Sequence, residues 1–267
     1  MMNNTLNETV RSIRQKNLKK AGGSCKARSW RERDLLEGKA VDAGVIILPT
    51  KGCRWGRSSG CTMCGYIYEA GNLGDKDLAA AFQGAIDGLG EVPYLKLFTS
   101  GSFFDPEEVS KDLLDSIITA VNERGIRQLQ VESRPEFLTK DGLDYVKENL
   151  DSKLEMGIGL ETSNDLIRAS CINKGFSFGD YKKAVELCRS KDVYVKTYLL
   201  LKPPFILERE AIEDTVESAL DAVQAGSTRI SINPMNIQRG TIVELLWRRG
   251  EYRTPWLWSL VEVLRQA

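Results

Sequence analysis

The 267-residue chain contains no histidine. That absence removes the usual imidazole base or ligand of cysteine-protease, serine-hydrolase and metalloprotease chemistry. It also deprives any zinc site of its commonest nitrogen donor. Net charge is missing as well: 37 lysines and arginines balance 37 aspartates and glutamates. No global field draws in nucleic acid, so such a contact must come from a local patch. Long apolar runs are also lacking. AGVIIL (43–48) and TYLLL (197–201) are far too short to span a bilayer, and the polar start MMNNTLNETVRSIRQKNLKK has no apolar signal core. A cytoplasmic protein with no membrane contact is expected. In that reducing compartment, clustered cysteines read as metal ligation or catalysis rather than as a disulfide framework.

What is present is alternation. Strand-like runs occupy 43–50, 94–100, 128–133, 154–161, 193–201 and 229–237, most of them apolar on both faces as in parallel strands covered by helices. Between them Leu78, Phe82, Ile86 and Leu89 recur at helical spacing, as do Val109, Leu113, Ile117 and Val121, and again Ile212, Val216, Leu220 and Val223. Asp105, followed by Pro106 and two glutamates, reads as a helix N-cap. Six βα units predict an α/β fold, a partial (β/α)6 barrel over residues 43–237. A basic N-terminal extension (1–42) and a C-terminal segment rich in arginine and tryptophan (238–267) flank it.

The stretch TKGCRWGRSSGCTMCGYIYEAG (50–71) gathers Cys53, Cys61 and Cys64, three of the six cysteines. It follows the first strand of the alternation, at the end where barrel enzymes build their active sites. Three thiolates there can hold a 4Fe-4S cluster by three irons and leave the fourth open. S-adenosylmethionine (SAM) chelating that iron could be split by one electron to give a 5'-deoxyadenosyl radical, able to take hydrogen from unactivated carbon. Gly52, Gly56, Gly60 and Gly65 let such a loop adopt positive φ. The competing account is a structural zinc site completed by aspartate, glutamate, a remote cysteine or water.

The C-x7-C-x2-C pattern resembles the radical SAM superfamily, in the branch that contains the Elongator catalytic subunit. TSGSFFDPEEV, VESRPEFLT, GLETSNDLIR, INKGFSFGDY, TYLLLKPPF and SINPMNIQRGTIVELLWRRGEYRTPWLWSLVEVLR resemble the archaeosine-forming radical SAM enzymes of archaea, a match running from about residue 20 to the end. The resemblance implies a partial barrel, a 4Fe-4S cluster on Cys53, Cys61 and Cys64, SAM, and a tRNA substrate. In that substrate a lysine is joined through its side-chain nitrogen to a 7-deazaguanine of the D-loop, and cleavage of its carbon-nitrogen bond leaves the formamidine of archaeosine. A lysine-transferring partner enzyme and an electron donor are implied too. Members of the family usually continue past the barrel, whereas this chain stops soon after it. Another RNA base or a small molecule as substrate, or a zinc-bearing RNA-binding module without chemistry, are the alternatives.

Other residues follow from strand ends. Met63 lies between two of the cysteines and is assigned with Gly101 and Ser102 to cofactor binding; a plain strand-to-helix turn competes for the latter two. Glu132 and Arg134 put an acid and a base at the mouth, where the resemblance implies contacts to the ribose hydroxyls and the SAM carboxylate and a local ion pair is the bland account. Glu161 ends an otherwise apolar strand, so a cation is expected to meet it, either on SAM or as the substrate's lysine ammonium. Lys196 and Tyr198 share one face of their strand, and Lys196 joins Glu161 as a catalytic candidate. Asn233 and Met235 follow the last strand, where the family places contacts near the adenine. Cys188 is expected to be a buried thiol, and Cys25 and Cys171 are expected to ligate nothing. Residues 11–33 carry nine basic side chains against Glu32 alone, a candidate phosphate-binding arm. Arg239, Arg248, Arg249 and Arg253 beside Trp247, Trp256 and Trp258 could stack on unpaired RNA, with packing the competing role for the tryptophans.

Overall fold

In the computed structural model, which describes residues 2–18 and 26–267, helix α1 (Met2–Leu18) precedes a hairpin of β1 (Arg28–Leu36) and β2 (Lys39–Leu48). The cysteine loop carries the short α2 (Arg54–Ser58) and leads to α3 (Asp75–Leu89), β3 (Tyr94–Thr99), α4 (Lys111–Glu123), β4 (Gln128–Glu132) and α5 (Lys140–Asn149). Then come β5 (Lys153–Glu161), a turn of α6 (Asp165–Ile167) running into a π-helical segment (Arg168–Ile172), α7 (Phe178–Ser190), β6 (Tyr194–Leu201), α8 (Glu208–Ala225), β7 (Arg229–Pro234), α9 (Ile242–Arg248) and α10 (Leu257–Gln266). The seven strands form one sheet in sequence order; β1 is antiparallel to β2 and all later pairs are parallel. None of the described helices is long and apolar enough to cross a membrane.

The six expected strands are β2 to β7, but they are not apolar on both faces. Their outer face (Leu95, Leu97, Leu129, Val131, Leu154, Met156, Ile158, Val195, Leu199) packs with Leu78, Phe82, Ile86, Leu113, Ile117, Val146 and Val185 of the covering helices. Each such side chain contributes roughly 1.5–3 kcal/mol by leaving water. The inner face is polar. Parallel register puts Lys96 beside Gln130 and Gln130 beside Glu155. Tyr94 donates its hydroxyl hydrogen bond toward Gln130 (2.8 Å) and Glu155, Gln130 Nε2 donates to the Tyr198 hydroxyl (2.7 Å), and Lys196 Nζ donates to Gln130 Oε1 (3.3 Å).

Strand β1 corrects the expected boundary at residue 42. It belongs to the sheet, and its alternate acids face inward: Glu32 and Asp34 pair with buried Lys96, and Asp34 also pairs with Arg229 at 3.3 Å. Arg229 further donates to Leu35 O, so β1 and β7 meet through side chains at the floor of the curled sheet. Several basic residues of the arm bond within the chain. Arg14 is buried, Arg11 Nε donates to Ser58 O at 2.9 Å, Arg28 pairs with Glu69, and Arg33 with Asp42. Lys19, Lys20 and Cys25 lie outside the described residues.

Two further expectations change. Asp105 caps no helix: α4 starts six residues later on Ser110, whose side chain accepts from Leu113 N. Helix α8 forms as its periodicity predicts, but its buried face is small and polar (Ala211, Thr215, Ser218, Ala219, Ala222). Ile212 and Val216 instead pack beneath α10 with Leu260 and Val263, while Leu220 and Val223 are exposed.

Candidate active site

The cysteine loop is pinned at the carboxy-terminal ends of the strands by contacts from four directions. From β3, Ser100 O accepts from Cys53 N (3.1 Å). From the segment after β5, Ile172 O accepts from Thr62 N (2.9 Å), Cys171 O accepts from the Thr62 hydroxyl (2.7 Å), and Asn173, itself left-handed at φ 59°, donates to Gly60 O (2.8 Å). From beyond β7, Gln238 Oε1 accepts from Gly65 N, and Ile242 N donates to Thr62 O (3.1 Å). From α1, Arg14 Nη2 donates to the carbonyls of Cys61 and Cys64 at 3.0 Å each. Arg54 reaches back to pair with Asp105, which is the role that residue holds.

The expected TSGS turn lies against Cys53. A Cβ on Gly101 would sit 2.5 Å from Cys53 Cα, so only glycine fits. Ser102 is buried, its Oγ accepts from Arg134 N (3.2 Å), and its backbone N–H donates to Glu108. Glu108 also accepts from the Thr50 hydroxyl (2.7 Å), which ties the turn to the start of the cysteine loop; burial pushes its carboxyl up to about 7.

Cys61 is buried and Cys64 half-buried beside it. Burial pushes the Cys61 thiol up against the pull of Lys174 and Arg134, and pushes Cys64 up to about 12. Neutral thiols give up their protons to a metal or cluster, so ligation here is coupled to proton release. Among the described residues, no three His, Cys, Asp or Glu side chains converge closely enough to hold a single metal ion.

Cations surround the thiols. Arg134 lies over the rings of Trp55 (5.7 Å) and Phe176 (5.2 Å), donates Nε to Glu136, and leaves a buried Nη2 without a partner. Lys174 Nζ pairs with Glu161 at 2.7 Å. Burial alone would lower the Lys174 ammonium, but Glu161 and Cys61 outweigh it and hold it above its usual value. Glu161 adopts φ 66°, a strained conformation for a non-glycine residue, and a Cβ on Gly159 would fall 2.8 Å from Lys174 Nζ. Sequence reasoning singled out Glu161 but neither Lys174 nor Glu108; their partners lie 13 and six or more residues away along the chain, beyond any local pattern.

Glu132 ends β4 beneath this pair. Burial raises its carboxyl to about 7, against a hydrogen bond from Tyr198 and the nearby Lys196. Lys196 and Tyr198 do face the interior, yet Lys196 sits one inward layer below Tyr198, bonded to Gln130 and lowered by burial and then by Lys96. Met63 and Met235 are buried in the apolar cluster that also holds Cys61 and Cys171, whereas Asn233 is exposed at the end of β7. Cys171 has Asp214 and Glu210 as its charged neighbours, and Cys188 is wholly buried on the inner face of α7.

No family model matches the chain. It is 42% identical over 270 residues to an archaeosine synthase subunit beta from Methanosarcina acetivorans, an alignment covering 98% of this chain and 78% of that protein. The chain belongs to the archaeosine synthase subunit beta family. Another member of this subunit beta family, from Thermococcus kodakarensis, is 39% identical over 88% of this chain and 75% of its own length. Among solved structures, a queuine lyase from Clostridium spiroforme bound to SAM and queuine superposes with a TM-score of 0.59 at 20% identity, over 78% of this chain and 81% of that one. The chain therefore shares the partial α/β barrel fold of that enzyme, here a single seven-stranded sheet in the order β1 to β7.

Proposed function

We propose that this archaeosine synthase subunit beta family member holds a 4Fe-4S cluster on Cys53, Cys61 and Cys64, binds SAM beside it, and cleaves the carbon-nitrogen bond of a lysine joined to 7-deazaguanine in the tRNA D-loop, leaving archaeosine. The observation that carries the reading is the donor set: three cysteines on one loop, faced by buried cations of which Arg134 keeps an unpartnered Nη2. An anionic cluster and a carboxylate-bearing ligand suit those surroundings. When bound, cluster and SAM supply a carbon radical that takes hydrogen from unactivated carbon.

The chain's own groups position the rest. Arg134 Nη2 receives a carboxylate, Gly101 and Ser102 present backbone beside Cys53, Met63 walls the apolar side, and Asn233 lines the rim. Glu132 accepts from ribose hydroxyls, with Tyr198 and Lys196 below it opposing the rise that burial imposes on its carboxyl. Glu161 already holds one ammonium, that of Lys174, so a substrate lysine would share or displace it. The relatives' name counts them as one subunit of several, and a lysine-transferring partner that makes the substrate fits the missing member. An electron donor completes the system.

The test is anaerobic incubation with reductant, SAM and lysine-bearing deazaguanine tRNA, followed by assay of deoxyadenosine and mass analysis of digested tRNA. Archaeosine with matching deoxyadenosine is expected. SAM consumed while the tRNA keeps its lysine overturns the substrate, and protein loaded with zinc in place of iron and sulfide overturns the radical chemistry.

A further inference from the structure

We infer that Arg14 of α1 is the counter-charge of the cysteine centre and tunes its reduction potential; this rests on the cluster reading above. Asn7, Arg11 and Arg14 fall at spacings of four and three, on one face of α1. That face grips the loop: Arg11 donates to Ser58 O, Asn7 Oδ1 accepts from the Ser59 hydroxyl, and Arg14 holds the carbonyls of Cys61 and Cys64. Arg14 is 4% exposed, yet Nε and Nη1 have no hydrogen-bond partner and no carboxylate pairs with it among the described residues. Its one aromatic contact is Tyr68, at 5.9 Å. The loop is shaped around it, because Gly60 at φ 106° has room for no Cβ, which would lie 2.5 Å from Arg14 Nε.

A buried guanidinium without an anion is expensive. Two direct bonds to ligand-residue carbonyls do not neutralise it, whereas negative charge gathered on Cys61 and Cys64 would. A fixed positive charge favours the more negative, reduced state of such a centre, so Arg14 raises its potential and eases delivery of the electron.

The measurement is a potentiometric titration of the cluster's electron paramagnetic resonance signal in wild type, Arg14→Gln and Arg14→Lys, all reconstituted anaerobically without SAM. Wild-type iron and sulfide are read first; zinc there sinks the cluster reading itself and is distinguishable from failure of this inference. Arg14→Gln should show about a tenfold lower reduced-to-oxidised ratio at fixed potential, equal to a shift of about −59 mV for a one-electron couple. Arg14→Lys, which keeps the charge and loses the fork, should restore most of it. A loaded Arg14→Gln with wild-type potential overturns the inference. If Arg14→Gln holds no cluster, Arg14→Lys decides: a loaded lysine variant near wild-type potential supports the charge, and an unloaded one assigns Arg14 to hydrogen bonding alone and overturns it.

Discussion

Replacing Gly101 by alanine tests whether the turn after β3 places Cys53. The added methyl would stand 2.5 Å from Cys53 Cα and 2.6 Å from Cys53 N, and against Glu108 Oε2. Real Cβ contacts are essentially never under 3.0 Å, so the two segments must part by 0.5 Å or more. The obstacle is backbone held by the Cys53 N to Ser100 O hydrogen bond, not the end of a flexible side chain. Overpacking of this kind costs about 2 kcal/mol, which at this chain length lowers the melting temperature by about 4–8 °C. Function should suffer more than stability, because a metal or catalytic constellation tolerates displacements of only about 0.5 Å. Iron and sulfide per chain, melting temperature and SAM cleavage should be measured on anaerobically reconstituted protein. We expect a folded variant with partial cluster loading and SAM cleavage down by more than about tenfold. Full loading, wild-type melting and wild-type cleavage together would refute the reasoning.

Three other outcomes are expected. Cys61→Ala should abolish iron binding, whereas Cys188→Ala, on the buried face of α7, should keep full loading and lose only about 1 kcal/mol; equal iron loss in both would remove the three-cysteine assignment. The Glu108 carboxyl, raised from an ordinary 4.5 to about 7, binds its proton more tightly folded than unfolded, so its contribution to stability is present at pH 4 and lost as pH rises to about 7; Glu108→Gln should flatten that decline by up to about 3 kcal/mol, and an unchanged profile would rule the residue out. Trp258 and Trp256 are 78% and 55% exposed, with Arg253 stacked 4.2 Å over Trp256, so they do not serve as packing; if they meet tRNA, Trp258→Ala should weaken binding by about 1–3 kcal/mol and Arg253→Ala should reduce the salt slope by about 1, whereas unaltered binding in both would leave RNA to another face.

The sequence disclosed most of this architecture where physics is local. Strands β2 to β7 declared themselves through runs such as AGVIIL and TYLLL, and α3 through Leu78, Phe82, Ile86 and Leu89, because an outer core demands apolar periodicity. Strand β1 escaped because RSWRERDLL reads as a solvated basic arm until Lys96 and Arg229 arrive from β3 and β7 to meet Glu32 and Asp34. The three cysteines were legible from spacing alone. Arg14, Glu108 and Lys174 were not, since each is defined by a partner on another element: a carbonyl 47 residues away for Arg14, Thr50 at 58 for Glu108, and Glu161 across the end of β5 for Lys174. Asp105 misled because Asp-Pro-Glu-Glu carries every local mark of a helix start, while its actual tie is to Arg54, across the site.

The side-chain junction between β1 and β7 gives the ring a seam. Everywhere else around the circumference, neighbouring strands are laced by backbone ladders, and widening the ring there would break several hydrogen bonds at once. At the seam it is fastened by a few separate snaps: Arg229 to Asp34 and Leu35 at the bottom, and Tyr68 to Gly240 and Gly65 to Gln238 at the top. Such fastenings open one at a time and re-form without any strand losing its register. Local opening along this line therefore costs one contact at a time, and amide hydrogen exchange should be faster there than in the backbone ladders between neighbouring strands.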